Sequence, residues 1–247
     1  MRTGSEVPRA LIVSGGVGHA FEETSAKLAE LFAEEGIESE TTYDVEAAFA
    51  SLVGDGAPDL VTINALRWRM KAERYAPQRA EWEFQLSDKG RQALLGFLRA
   101  GGGLLGVHTA SICFDDWQEW GRILGGRWNW DRSGHPPLGP VSVRVLEGDE
   151  LVAGLTDFES FDEVYGFLDV EADVDVLMVS SHSGAAHPVM WRHSYGDSRV
   201  VYTSLGHDLS AYESASLTAS LRRSARWVAR LDDRKARPQE RISSDVD

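Results

Sequence analysis

Three of the seven histidines in this 247-residue chain follow an apolar run that ends in a glycine. His19 comes after Ala10-Leu11-Ile12-Val13 and Gly15-Gly16-Val17-Gly18, His108 after Leu104-Leu105-Gly106-Val107, and His207 after Val200-Val201-Tyr202-Thr203-Ser204-Leu205-Gly206. A neutral imidazole carries one lone pair and one N–H, so such residues act as proton acceptors and donors, or as ligands of a divalent ion such as zinc. Gly106-Val107-His108-Thr109-Ala110 has the layout of a nucleophile elbow, with histidine where serine or cysteine would stand. Ser111 and Cys113 lie beyond that position, which disfavours acyl transfer through a covalent intermediate. His108 is then a general base or acid, a metal ligand, a partner of a sugar hydroxyl, or a histidine satisfied within its turn.

No HExxH or CxxC spacing occurs, so any metal site must be assembled from distant loops. His19, His108, His135 and His207 are its candidates, with Asp162, Glu163 or Asp208 as oxygen ligands, while His182, His187 and His193 read as surface or hairpin residues. Gly15-Gly16-Val17-Gly18 lacks the full GxGxxG spacing and the P-loop lysine, so it reads as a tight turn with backbone open to a ligand. Trp128 and Trp130 stand beside Asp131, Arg132 and His135. That mixture suits a carbohydrate, whose C–H face covers an indole while polar groups take its hydroxyls. Core packing would account for each ring equally well. The catalytic candidates are therefore His108, His19, His207 and Glu163. Substrate-binding candidates are Gly15, Gly16, Trp68, Trp128, Asp131, His135 and Asp162.

Apolar runs at Arg9–Ser14, Glu38–Tyr43, Asp59–Asn64 and Leu104–Val107 predict strands. A helix from Phe21 should stop at Gly36, and another should open at the N-cap Ser87 and end at Gly101-Gly102-Gly103. Strands alternating with helices imply a parallel sheet covered on both faces, with ligands beyond its carboxyl edge. Strands are also expected at Val141–Leu146 and Val174–Ser180, then a hairpin of Val189–His193 with Arg199–Thr203, then a closing helix over Glu213–Leu231. Trp117 and Trp120 have helical spacing and read as core. Residues 67–86 form a long aromatic insertion, either a helical excursion packed on the body or a lid, able to seal a pocket or a homo-oligomer contact. Residues 1–231 read as one domain, and 232–247 as an irregular tail.

The net charge of −14, from 39 acidic against 25 basic residues, argues against a nucleic-acid partner and against anionic membranes. One cysteine cannot form an internal disulfide. No leader-like segment and no run of about 18 apolar residues is visible. A cytoplasmic protein with a small-molecule partner is expected.

Several stretches, in order, resemble the ThuA-like (trehalose-utilisation) family of the class I glutamine amidotransferase-like superfamily. They are Leu11-Ile12-Val13-Ser14-Gly15-Gly16 with Phe21-Glu22-Glu23-Thr24, the run from Gly101 to Ala110, Trp117-Gln118-Glu119-Trp120, Leu124-Gly125-Gly126 and His135-Pro136-Pro137. Phe161-Asp162-Glu163-Val164-Tyr165, His187-Pro188-Val189-Met190-Trp191 and Arg199 to His207 follow. The resemblance implies an α/β flavodoxin-like three-layer sandwich with a mainly parallel central sheet, and His108 in the elbow of the amidotransferase cysteine. Glutamine hydrolysis is then not expected. It implies a role in sugar catabolism on a disaccharide or keto-glycoside, by histidine acid/base or metal-assisted isomerisation or bond cleavage. The alternative is a sugar-binding or regulatory module without chemistry. The segment 128–134 departs from the shorter, Phe-containing link expected there, which bears on pocket shape.

Overall fold

The computed structural model describes residues 7–235. Eleven strands run β1 Arg9–Gly15, β2 Glu38–Thr42, β3 Leu60–Ala65, β4 Gly103–Val107, β5 Gly126–Arg127, β6 Gly139–Val145, β7 Phe158–Asp162, β8 Asp169–Val170, β9 Asp175–His182, β10 Ala185–Tyr195 and β11 Ser198–Thr203. The helices are α1 Phe21–Glu34, α2 Val45–Ala50, α3 Ala76–Trp82, α4 Asp88–Arg99, α5 Gln118–Leu124, α6 Ala215–Val228 and α7 Leu231–Lys235. β5 and β8 pair as a small ribbon, and the other nine strands form one sheet in the order β2-β1-β3-β4-β11-β10-β9-β6-β7. The five strands from β2 to β11 are parallel, in the flavodoxin-like order, and a four-stranded antiparallel wing extends from β11.

The apolar runs fold as parallel strands because both faces are covered. Along β1, Ala10 and Ile12 join one cluster with Leu28 and Phe32 of α1 and Leu217 and Leu221 of α6. Leu11 and Val13 join the opposite one, with Phe49 of α2, Leu94 and Leu98 of α4, and Trp120 of α5. The Ser87 hydroxyl accepts from the Gly90 N–H at 3.0 Å, as an N-cap should. Gly36 ends the α1 run in the left-handed region at φ +74°.

Three elements differ from the sequence reading. β7 was not anticipated, because Phe158-Glu159-Ser160-Phe161-Asp162 carries two acidic residues and is an edge strand with a half-exposed side. The six-residue α2, capped by the Asp44 carboxylate on the Ala47 N–H, is too short to show a period. The expected tail begins as helix α7, where Asp232 pairs with Arg226 and Asp233 with Arg199. The remainder of that tail, 236–247, lies outside the described residues. The insertion 67–86 packs on the body as a helical excursion: Trp68 and Met70 are buried, the Phe84 N–H donates to the Trp68 carbonyl at 2.9 Å, and Arg69 pairs with Asp115.

The wing curls strongly. On a flat sheet, four strand spacings (about 19 Å) would separate β7 from β11. Yet Asp162, at the end of β7, accepts from the Gly206 N–H just beyond β11 at 2.6 Å.

Candidate functional site

His19 follows β1, His108 follows β4, and His207 follows β11, so three parallel strands deliver them to one sheet edge. The curl of the wing brings Glu163, directly after β7, to the same place. Ring centroids of His19, His108 and His207 lie 4.6–5.3 Å apart in all three pairs. One ligand atom from each histidine and one carboxylate oxygen of Glu163 fall within 4.8 Å of one another.

Each group is held by a local device. His108 sits at φ +47°, a left-handed conformation that costs a non-glycine residue about 1–3 kcal/mol. Gly106 precedes it because any Cβ there would meet Leu124 Cδ1 at 2.5 Å. Tyr202, fully buried, braces the turn: its hydroxyl donates to the His108 carbonyl at 2.8 Å and lies 2.8 Å from Ser111 Oγ. His108 Nδ1–H donates to the Ser204 carbonyl at 2.6 Å, because a carbonyl can only accept, and this leaves Nε2 with a lone pair. That Nε2 is 3.1 Å from the Tyr165 hydroxyl and 3.6 Å from Glu163 Oε2. His19 Nδ1–H similarly donates to the Val17 carbonyl at 3.2 Å. His207 points Nδ1 at Asp208, 3.6 Å away, and Nε2 at Glu163 Oε1, 3.7 Å away.

Burial, reinforced by the neighbouring His108 and His207, pushes His19 down to about 4, so it is neutral at pH 7. Burial alone would raise Glu163, but the close approach of His108 and the charges of His108, His135 and His207 overturn it and hold the carboxyl below its usual range. Glu163 is therefore an anion, not a proton donor. Burial raises Tyr165 well above the usual phenol range, so its hydroxyl keeps its proton. Cys113 is fully buried, pushed up to about 12 by that burial, and donates to the Ala65 carbonyl at 3.0 Å. It is no nucleophile.

Residues 9–228 match the family model whose description is trehalose utilisation, ThuA. The chain belongs to the ThuA family. Among solved structures it is similar to a ThuA-like protein of Parabacteroides merdae ATCC 43184, with 17% identity, TM-score 0.72 and coverage of 91% of this chain and 90% of that one. A ThuA-like protein of Bacteroides uniformis ATCC 8492 shows 19% identity, TM-score 0.64 and coverage of 92% and 94%. A cold-adapted β-galactosidase of Rahnella sp. R3 shows 15% identity and TM-score 0.59 over 93% of this chain but only 31% of that enzyme. At these identities the likeness is one of fold. No curated protein matches the sequence. The family assignment places the chain in sugar utilisation, and no helix among the described residues is long and apolar enough to cross a membrane.

In this ThuA-family chain the remaining candidates separate. Gly15 and Gly16 form the turn beside His19 at φ +99° and +148°; a Cβ on Gly16 would meet the Leu66 carbonyl at 2.8 Å. Trp128 is half-buried, with its ring 5.1 Å from Tyr165 and 6.1 Å from His135, so it forms the wall of the site; Trp130, 43% exposed, stands beyond it at 6.2 Å. His135 lies at the rim, with Nδ1 3.3 Å from Glu163 Oε1, and stands outside the four-donor group in which it was expected. Glu163 takes that place.

Several residues lie elsewhere than expected. Asp162 was expected to meet a ligand, but it is fully buried: Oδ2 accepts from Gly206 N–H, and Oδ1 from Glu163 N–H at 2.8 Å and His207 N–H at 3.3 Å. It positions the His207 turn. Trp68 is 3% exposed and packs with Phe21, Leu66 and Met70, so its ring face is unavailable to a sugar. Asp131 occupies an exposed turn closed by its own N–H on Asn129 Oδ1. His187, expected as a surface or hairpin residue, is buried on β10 of the β9–β10 hairpin, accepts from the Phe167 N–H at Nδ1 and donates from Nε2 to the His182 carbonyl. Sequence reasoning missed Tyr165, which looks like core between Val164 and Gly166. A concavity of about 460 Å³, lined by Arg132, Phe167, Asp169, His187 and Pro188, shares Tyr165 with the site without reaching His19, His108 or His207.

Proposed function

We propose that the chain is a cytoplasmic, carbohydrate-active protein of sugar catabolism that acts on a disaccharide or keto-glycoside at the His19–His108–His207–Glu163 cluster. The observation that carries this reading is the meeting of three imidazoles and one carboxylate at an elbow without a nucleophile, beside an aromatic wall. The Trp128 ring covers the apolar face of a sugar, and the ionised Glu163 accepts from its hydroxyls.

A ketone on the sugar acidifies the neighbouring C–H. An imidazole lone pair takes that proton, and the C–H electron pair becomes a C=C bond. The adjacent glycosidic C–O bond breaks, and its oxygen leaves with the proton that the imidazolium returns. Without loss of that oxygen, the same transfer gives isomerisation. His108 supplies the lone pair when Nε2 is free. Were a divalent ion held by His19, His108, His207 and Glu163, it would supply Lewis-acid polarisation of the keto oxygen, and the rim imidazole of His135 would then be the base.

His108→Ala, assayed for turnover of keto-disaccharides and checked for folding by circular dichroism, tests the reading. Turnover should disappear; unchanged turnover in a folded variant refutes it. Calorimetry with trehalose and its keto derivatives, run alongside product analysis, identifies the non-catalytic alternative by binding without product.

A further inference from the structure

We infer that the cluster is a binding site for one divalent transition-metal ion, coordinated by the Nε2 atoms of His19, His108 and His207 and by one oxygen of Glu163. This rests on the site of the proposed function and deepens it by naming the ion as its cofactor.

His108 and His19 spend their Nδ1–H groups on the carbonyls of Ser204 and Val17, and His207 turns Nδ1 to the carboxylate of Asp208. Their Nε2 atoms are not committed to those partners, and one ligand atom of each ring lies within 4.8 Å of the others and of a Glu163 oxygen. His108 Nε2 and Glu163 Oε2 are 3.6 Å apart, and His207 Nε2 and Glu163 Oε1 are 3.7 Å apart. The Tyr165 hydroxyl lies 3.1 Å from His108 Nε2. Both separations from Glu163 are too long for direct hydrogen bonds, and a cation between the four groups would bind them all.

The spacing agrees. Donors about 2.1 Å from a tetrahedral ion are about 3.4 Å from one another, close to the two separations above. A metal-ligating histidine usually fixes its other nitrogen on a carbonyl or carboxylate, as His19 and His108 do here, while His207 Nδ1 lies 3.6 Å from the Asp208 carboxylate. Imidazole donors select zinc, cobalt, iron or manganese over magnesium and calcium, which prefer all-oxygen shells. Three neutral nitrogens and one carboxylate leave a net positive ion, suited to polarising a carbonyl oxygen.

The test uses the full chain without sugar. Protein stripped with a chelator is titrated with cobalt(II) chloride, following the visible d–d band, and with zinc chloride by calorimetry. One ion per chain is expected, with a four- or five-coordinate cobalt spectrum. His207→Asn and Glu163→Gln should each weaken binding at least tenfold and keep the native circular dichroism, while His182→Asn should leave it unchanged. No saturable binding by folded wild-type protein, or an equal loss in His182→Asn, overturns the inference. Sugar turnover that persists in chelator-stripped protein also overturns the ion's role while sustaining the acid–base reading; binding of the ion without turnover does the reverse.

Discussion

Removing the Tyr202 hydroxyl tests how the elbow is held. Tyr202 is fully buried on β11, and its one hydroxyl meets both the His108 carbonyl and Ser111 Oγ at 2.8 Å. Tyr202→Phe removes one oxygen from a packed site, so the cavity left is smaller than a methyl group and its packing cost is minor. The larger cost is a buried carbonyl and a buried hydroxyl without partners, about 1–3 kcal/mol together. That energy falls on a residue already held at φ +47°. For a domain of this size, each kcal/mol lowers Tm by about 2–4 °C, so a fall of about 2–12 °C is expected. Urea unfolding should show a lower midpoint with an unchanged m-value. A His108 ring no longer held in place should also weaken ion binding roughly tenfold or more. A melting temperature within 1 °C of wild type, with unaltered ion affinity, would refute the bracing role.

Asp162→Ala strips acceptors from three backbone N–H groups and should cost about 3–5 kcal/mol in urea unfolding, whereas Asp131→Ala in its exposed turn should stay within about 0.5 kcal/mol. Gly103→Ala should be severe, since its Cβ would meet the Val228 carbonyl oxygen at 2.3 Å, and backbone cannot give way as a side chain can. Cys113 should resist thiol reagents at pH 8 in native protein and react on unfolding; rapid labelling of folded protein would contradict its burial. His193, lowered by burial and donating to the Ile123 carbonyl, and His19, lowered to about 4, stay neutral in the fold while the unfolded chain protonates near 6.5. The stability they contribute is therefore present above about pH 6.5 and lost as pH falls towards 4, which melts across that range will show; a flat profile opposes it.

The parallel half was legible because strands buried on both faces read as unbroken apolar runs, and Ser87, Gly36 and Gly106 mark their own positions by capping and steric need. His19, His108 and His207 were legible as strand ends, since the doubly wound order directs such ends to one edge. The wing was harder. Nothing local in Phe158-Glu159-Ser160-Phe161-Asp162 tells of a curl that carries its end across four strands to Gly206. Asp162 and Glu163 were interchangeable in sequence, and only pairing geometry turns one towards backbone N–H groups and the other towards the histidines. Trp68 and Trp128 were equally ambiguous, because an indole carries no mark of whether its neighbours are leucines or a ligand.

Since adjacent positions of a strand face opposite ways, the identity of the charge offered to the imidazoles depends on the parity of β7 against β6. Sliding that edge strand by one step would present aspartate, a methylene shorter, where glutamate now reaches, and would turn the longer side chain into the space beneath the Gly206 turn. The strand has a neighbour on one flank only, so its alignment is enforced chiefly by the Asp162 latch at its far end. Inserting a single residue within 158–161 should thus be more damaging than inserting two, and relatives that vary in length there would be expected to vary in even steps.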